Sequence, residues 1–283
     1  MTNRKTMHIV SSADDNYAQH LGVMFVSLLK NMDKTRKVKL YVIDGGIKEH
    51  NKKRLQETTF KFGIPIQFLE IDKQQFEHAY ESKHITKAAY YRICIPELIT
   101  DPDVNKAIYI DCDAVVLEDI SKLWDYDFHP YPCAAVEDAG QHHRLEKMQI
   151  SETSKYFNSG MMIIDFVQWR KKDISNKVLN FMKESPELEF HDQDALNAIL
   201  HDKWHQLHPR WNAQSHIILK EKIPASLIDQ KKHIETRLNP AIVHFCGPEK
   251  PWNSQTKHPY AKKYFDYLQL TNWTSATAIA NSI

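Results

Sequence analysis

Two aspartates one residue apart, Asp111 and Asp113, close an apolar run, Ala107-Ile108-Tyr109-Ile110. The run reads as a buried strand of a parallel sheet. Ligands of open α/β sheets sit beyond the carboxyl ends of the strands, so both carboxylates would stand at the rim of a cleft. Hard oxygen donors there suit Mg²⁺ or Mn²⁺, which commonly bridge to substrate phosphates. Two solvated acids at a strand end give the same letters. His244 ends a later apolar stretch and would complete a three-donor set, with imidazole favouring Mn²⁺ over Mg²⁺. Taken alone, such a histidine is more often a satisfied core residue than a ligand.

Other residue groups suit a nucleotide and a sugar. Asp14, Asn16 and Tyr17 put an acceptor, an amide and a ring on one loop, a trio able to read a pyrimidine. Asp14 or Asp15 would also cap the helix that follows. Arg92, after two tyrosines, offers a fork for phosphate or sugar oxygens, or else a surface ion pair. Gly247 lets backbone approach a phosphate closely. Lys250 adds a point charge, in a loop stiffened by Pro251 and Trp252. Asn158, Asp192 and Gln193 are candidates for a sugar-facing floor, and Asp192 would also cap its own helix.

The elements that must hold these residues follow from periodicity. Strands are expected over Met7 to Ser12, Val38 to Ile43 and Pro65 to Ile71, with amphipathic helices over Ala18 to Met32 and Lys48 to Phe62 between them. This β-α-β-α-β series implies a parallel sheet with right-handed crossovers. A helix over Thr86 to Leu98 would carry Arg92. Tyr131 to Val136 reads as a strand running into Glu137 and Asp138. Tyr156 to Gly160 reads as a turn before a strand from Met161 to Ile164. A helix opens at His191 and runs to Leu200. Pro240 to Cys246 is a late strand, Gly247 to Trp252 a loop and Tyr260 to Leu270 a terminal helix.

Composition narrows the class. The 283 residues, 42% hydrophobic and 26% charged with net charge +1, suit a soluble globular chain without bulk attraction to nucleic acid. Four cysteines (Cys94, Cys112, Cys133, Cys246) form no Cys-x-x-Cys pair, which fits a reducing compartment. Met1 to Met7 is polar, and no run approaches the length of a membrane span. A cytoplasmic protein without stable membrane insertion is the expectation.

Five stretches, in order, resemble the pattern of retaining glycosyltransferase family 8. They are Ala13-Asp14-Asp15-Asn16-Tyr17, Tyr91-Arg92, Asp111-Cys112-Asp113, Phe157-Asn158-Ser159-Gly160 with Asp192-Gln193-Asp194, and His244 through Trp252. The resemblance implies a GT-A type α/β fold: a Rossmann-like, mostly parallel central sheet flanked by helices, with a smaller, less regular C-terminal part. It implies a catalytic domain over residues 1–255, with a helix and tail over 256–283 packed on it. The implied activity is retaining transfer of glucose or galactose from a UDP-sugar to an unknown saccharide, lipid or protein acceptor. Mn²⁺ would be held by Asp111, Asp113 and His244, with Mg²⁺ as a weaker substitute.

By the same resemblance, Ala13, through its backbone, with Asp14, Asn16 and Tyr17 holds uracil. Arg92 contacts the donor sugar and a nearby acid, and Cys112 contributes backbone. Asn158, Ser159, Asp192 and Gln193 face the sugar, with Asp192 and Gln193 in the catalytic positions. His244, Gly247 and Lys250 serve the diphosphate side, and His84, Asp138 and Cys246 the acceptor side. A glutamine beneath the anomeric carbon is a poor nucleophile, which disfavours the two-carboxylate scheme of retaining glycosidases. A same-face displacement through an oxocarbenium-like state is the expected route. Ser159 departs from the alanine of the best understood member, which leaves the donor open. No lysine or arginine follows Lys263, unlike the basic tail of that member, which bears against a lipid-linked acceptor.

Three other readings are open to this sequence. Ile108 through Val115 also fits the nucleophile strand of haloacid dehalogenase-type phosphohydrolases. That strand normally comes first, however, and the Gly-Asp pair of their metal motif is missing from the chain. A nucleotidyltransferase would need a glycine-rich loop after the first strand, where Gly22 is the only glycine in 44 residues. A UDP-sugar-binding stress protein without turnover is the non-enzymatic alternative.

Overall fold

The computed structural model describes residues 5–72, 87–185, 191–221, 224, 226–253 and 256–273. The chain opens as β1 (Met7–Ala13), α1 (Ala18–Asn31), β2 (Val38–Asp44), α2 (Glu49–Phe60) and β3 (Ile66–Leu69). These strands pair in parallel in the order β3-β2-β1. α1 is almost wholly buried, because the main core cluster and the C-terminal helix sandwich it. After a 3₁₀ turn over Lys87–Cys94 come α3 (Ile95–Leu98), β4 (Lys106–Ile110), β5 (Ala114–Val116) and α4 (Ser121–Trp124). Then follow β6 (Cys133–Glu137), α5 (His143–Lys147), β7 (Phe157–Asp165), α6 (Phe166–Lys171), α7 (Ile174–Glu184) and α8 (His191–Leu200). The last elements are β8 (His205–Gln206), β9 (Ala213–Gln214), α9 (Ser215–Ile218), α10 (Leu227–Leu238), β10 (Ile242–His244) and α11 (Ala261–Leu268).

The main sheet runs β3-β2-β1-β4-β7-β6-β8, and β5-β10-β9 form a second, smaller one. β7 is antiparallel to both its neighbours, β4 and β6; the other pairs of the main sheet are parallel. Apolar clusters pack both faces of the sheet, which is why its central strands read as unbroken hydrophobic runs. Among the described residues, no helix is long and apolar enough to cross a membrane.

Several expectations need correction. The stretch ending at Leu98 is a 3₁₀ turn followed by one short α-helical turn, not one helix; Thr86 lies outside the described residues. Pro96, unable to donate a backbone hydrogen bond, sits in the first turn of α3 and marks the break. Tyr156 to Gly160 is not a turn, since Phe157 already begins β7. The pairing of β6 passes from Ala135 opposite Met162 to Val136 opposite Asn158, so Ser159, Gly160 and Met161 bulge out of that register. Gly160 still accepts the backbone N–H of Asp111 at 2.8 Å. Bulges of this kind re-aim side chains beside active sites. The late strand shrinks to Ile242–His244, and α6, α7 and α10 were not foreseen. Neither Asp14 nor Asp15 caps α1. Asp15 Oδ1 instead accepts the Lys48 backbone N–H at 2.9 Å and the Asn51 Nδ2 at 2.8 Å, holding the start of α2.

Candidate active site

β4 ends at Ile110, and Asp111, Cys112 and Asp113 turn the chain into β5. β10 pairs antiparallel with β5, setting His244 opposite Ala114. That pairing brings an imidazole from 131 residues later in the chain beside the two aspartates. Nε2 of His244 lies 3.2 Å from Asp113 Oδ1 and 3.7 Å from Asp111 Oδ2. One donor atom from each of the three residues lies within 4.8 Å of the other two. Gly160 leaves the space: a Cβ there would stand 2.2 Å from His244 Cε1 and 2.7 Å from Asp111 Oδ2. Two carboxylates and a facing imidazole nitrogen fit a divalent cation of the Mn²⁺ kind.

Each ligand candidate is held from behind. Asp111 Oδ1 accepts from the Tyr109 hydroxyl at 2.6 Å, and the Ser12 Oγ lies 2.9 Å from that hydroxyl. Arg92 is buried, not a surface ion-pair residue. It reaches Asp111 Oδ1 at 3.0 Å and Asp192 Oδ2 at 3.2 Å, donates to the Ser159 carbonyl at 2.8 Å, and lies over the Tyr109 ring. One guanidinium therefore joins the Asp-x-Asp turn, the bulge and the start of α8. Burial pushes the Asp192 carboxyl up to about 6; Arg92 pulls it down and Asp111 adds to the rise. Asp113 sits well below the usual carboxylate range: burial would raise it, but Lys250 and His244 outweigh that. Lys250 Nζ lies 2.5 Å from Asp113 Oδ2 and 2.6 Å from the Phe245 carbonyl.

These groups line one cleft of about 620 Å³, a volume suited to a drug-sized ligand. Ser12, Ala13, Asp14, Tyr17, Asn158, Ser159, Asp192 and Gln193 all line it. Asp138, Ser215, His216, Cys246, Gly247 and Lys250 line it as well. Asn16 is exposed and outside the cleft wall. His84 lies outside the described residues. Asp14 Oδ1 accepts the Tyr17 N–H at 3.0 Å, and Tyr17 meets Trp252 edge-on. His20 stacks on Trp252 with ring centroids 3.5 Å apart and lies 2.6 Å from the Tyr264 hydroxyl. Burial pushes the His20 imidazole down to about 4, so this stack is neutral near pH 7.

The neighbours of Gln193 point elsewhere. Asp192 is held by Arg92, whereas Asp194 meets Arg144 at 3.0 Å and the Tyr156 hydroxyl at 2.7 Å. Gln193 Oε1 accepts the Ser159 backbone N–H at 3.0 Å. The sequence reading passed over Tyr109, Arg144, His20 and Asn212. A tyrosine inside an apolar strand needs a partner for its hydroxyl, so Tyr109 carried a usable signal. Asn212, 2.9 Å from His244 Nδ1, carried none.

The chain is similar to known proteins in sequence and in fold. The family model described as glycosyl transferase family 8 matches residues 8–256. The chain is 66% identical over 278 residues to general stress protein A of Bacillus subtilis, covering 97% of each. It is 26% identical over 286 residues to the lipopolysaccharide 1,3-galactosyltransferase of Salmonella typhimurium, covering 98% of this chain and 81% of that one. Among solved structures, the galactosyltransferase LgtC, in complex with donor and acceptor sugar analogues, superposes with a TM-score of 0.84 at 24% identity. That match covers 97% of this chain and 99% of the other. The architecture is therefore of GT-A type.

Proposed function

The chain belongs to glycosyltransferase family 8, and from that premise we propose that it is a retaining hexosyltransferase. It moves glucose or galactose from a UDP-sugar to a saccharide, lipid or protein acceptor, with Mn²⁺ and less effectively Mg²⁺. The observation that carries this reading is the Asp111, Asp113 and His244 triad in the main cleft, with the Lys250 ammonium on Asp113. Family membership removes the phosphohydrolase alternative. Similarity to the lipopolysaccharide 1,3-galactosyltransferase supports a hexosyl donor.

Bound by the triad, a divalent cation would supply Lewis acidity toward the departing diphosphate. The protein's own groups do the rest. Lys250 leaves Asp113 for a phosphate oxygen and neutralises charge that builds there. Tyr17 and Asp14 hold the uracil. Arg92 and Asp192 form a buried pair that orients sugar hydroxyls beside Ser159. Gln193 cannot act as a base at neutral pH, and the flanking carboxylates of Asp192 and Asp194 are tied to Arg92 and Arg144. The acceptor proton then leaves toward a phosphate oxygen of UDP, on the face of the leaving group. An α-linked donor gives an α-linked product.

The catalytic domain extends through about residue 255, with the following helix as a buttress. The His20 to Tyr264 contact supports the packing of that helix on the domain. Buried free thiols at Cys94 and Cys133 support a reducing, cytoplasmic setting. The test is a panel of nucleotide sugars with Mn²⁺, scored by UDP release and by proton NMR of the new anomeric signal. UDP-glucose or UDP-galactose should turn over and retain the α configuration. No UDP release from any donor, or a β-linked product, overturns the reading.

A further inference from the structure

A histidine can ligate a metal only through a nitrogen that carries no proton, and the group bound to its other nitrogen selects which one that is. Here the selection can be followed from a donor of fixed sense. The Gly160 backbone N–H can only donate, and it lies 3.0 Å from Asn158 Oδ1. That assigns the oxygen of the Asn158 amide. The Asn212 atom 2.9 Å from the same oxygen must then be a donor, its Nδ2. The other end of that amide, Oδ1, faces His244 Nδ1 at 2.9 Å. An amide oxygen only accepts, so Nδ1 carries the hydrogen. In the neutral ring Nε2, the nitrogen facing Asp111 and Asp113, is then left with its lone pair; only the imidazolium carries hydrogen on both nitrogens and donates to Asp113 as well. At the far end Asn158 Nδ2 faces Asp138 Oδ2 at 3.4 Å. Every link therefore runs the same way, from the imidazole through two amides to a buried carboxylate.

We propose that Asn212 is a positioning residue of the metal site, one that selects the Nδ1–H tautomer of His244 and holds its ring toward the two aspartates. Asn158 and Asp138 complete the chain as the distal carboxylate of a histidine–carboxylate pair with two amides interposed. Such partners orient a ligating histidine and make it more basic, and aligned hydrogen bonds polarise one another. Asn212 and His244 sit on neighbouring segments because β9 begins at Ala213 and pairs with β10, setting Gln214 opposite His244. Asn212 is fully buried, so both its polar ends need the partners they have.

This inference rests on the metal role of the triad, and two measurements keep them apart. The first uses the metal-free wild-type protein, in a buffer made alkaline until the His244 ring nitrogens report a neutral imidazole. Long-range ¹H–¹⁵N spectra should show His244 protonated at Nδ1; protonation at Nε2 overturns the inference whatever binds the site. The second is Mn²⁺ titration by calorimetry of Asn212→Leu, after circular dichroism and melting in chelator establish that it folds. Affinity should fall by about ten- to a hundredfold, with the His244 tautomer no longer fixed. A folded variant with wild-type Mn²⁺ affinity also overturns it. If the leucine variant does not fold, the wild-type spectrum still decides. Asp113→Ala tests the metal reading itself: unchanged Mn²⁺ affinity there removes the triad while leaving the tautomer measurement intact.

Discussion

Replacing Asp192 with asparagine should stabilise the metal-free protein while impairing transfer. The Asp192 carboxylate is buried, and its partners Arg92 and Ser159 do not fully offset the lost hydration. Its carboxyl titrates at about 6 in the fold, against an ordinary 3.8. The folded state therefore holds the proton more tightly than the unfolded chain does. For a group shifted upward, the stabilising contribution is complete below the unfolded value and is lost as pH rises through the folded one. A shift of about two units corresponds to roughly 3 kcal/mol. Asparagine resembles the protonated acid and does not ionise, so it avoids that loss. Urea unfolding of both proteins in chelator should show near-equal stability around pH 4. The variant's advantage should reach about half its full size near pH 5 and a plateau of about 3 kcal/mol above pH 7. Donor turnover should fall, a trade of stability against function common at active sites. A variant less stable than wild type at pH 8, or an advantage that does not change with pH, would refute the reasoning. The first result would mean that Arg92 needs the second carboxylate more than burial penalises it; the second would mean that the gain does not come from ionisation of Asp192.

Gly160→Ala should push the His244 ring out of place, because the new Cβ would overlap Cε1. A stability loss of about 1–3 kcal/mol and weaker Mn²⁺ binding are expected; unchanged Mn²⁺ affinity by calorimetry would mean that the bulge yields instead. Asp113→Ala should abolish the Mn²⁺-dependent thermal stabilisation by UDP while the protein stays folded, since Asp113 lies at the cleft rim and not in the apolar core. UDP should displace a labelled UDP-sugar far better than ADP or GDP does, if Asp14 and Tyr17 read the base; equal competition would show that the diphosphate alone is recognised.

What could be read from the sequence was chemistry that a short segment carries by itself. Asp111-Cys112-Asp113 announced two carboxylates at a strand end, and the strand ends there. The loop after β1 and the Lys250 loop were singled out in the same way, because their donors and rings lie within a few residues, and both contribute to the cleft lining. The hidden parts depend on contacts between distant segments. Phe157-Asn158-Ser159-Gly160 has the letters of a turn, yet neighbours on both sides hold it in a strand, and only the bulge explains the glycine. Arg92 reads locally as a surface residue; it is buried because two acids, one 19 and one 100 residues onward, converge on it. Asp15 looked like a cap for the next helix and instead holds the one after it. Asn212 is the extreme case. Its composition and neighbours say nothing, and its role exists only because β9 and β10 lie side by side and His244 needs an acceptor behind Nδ1. Ligands that touch a substrate must have a particular chemistry, and that leaves a motif. A residue that orients a ligand needs only one hydrogen-bonding atom at one place, which many side chains on many segments could supply. Its identity is therefore decided by packing, and only the folded chain discloses it.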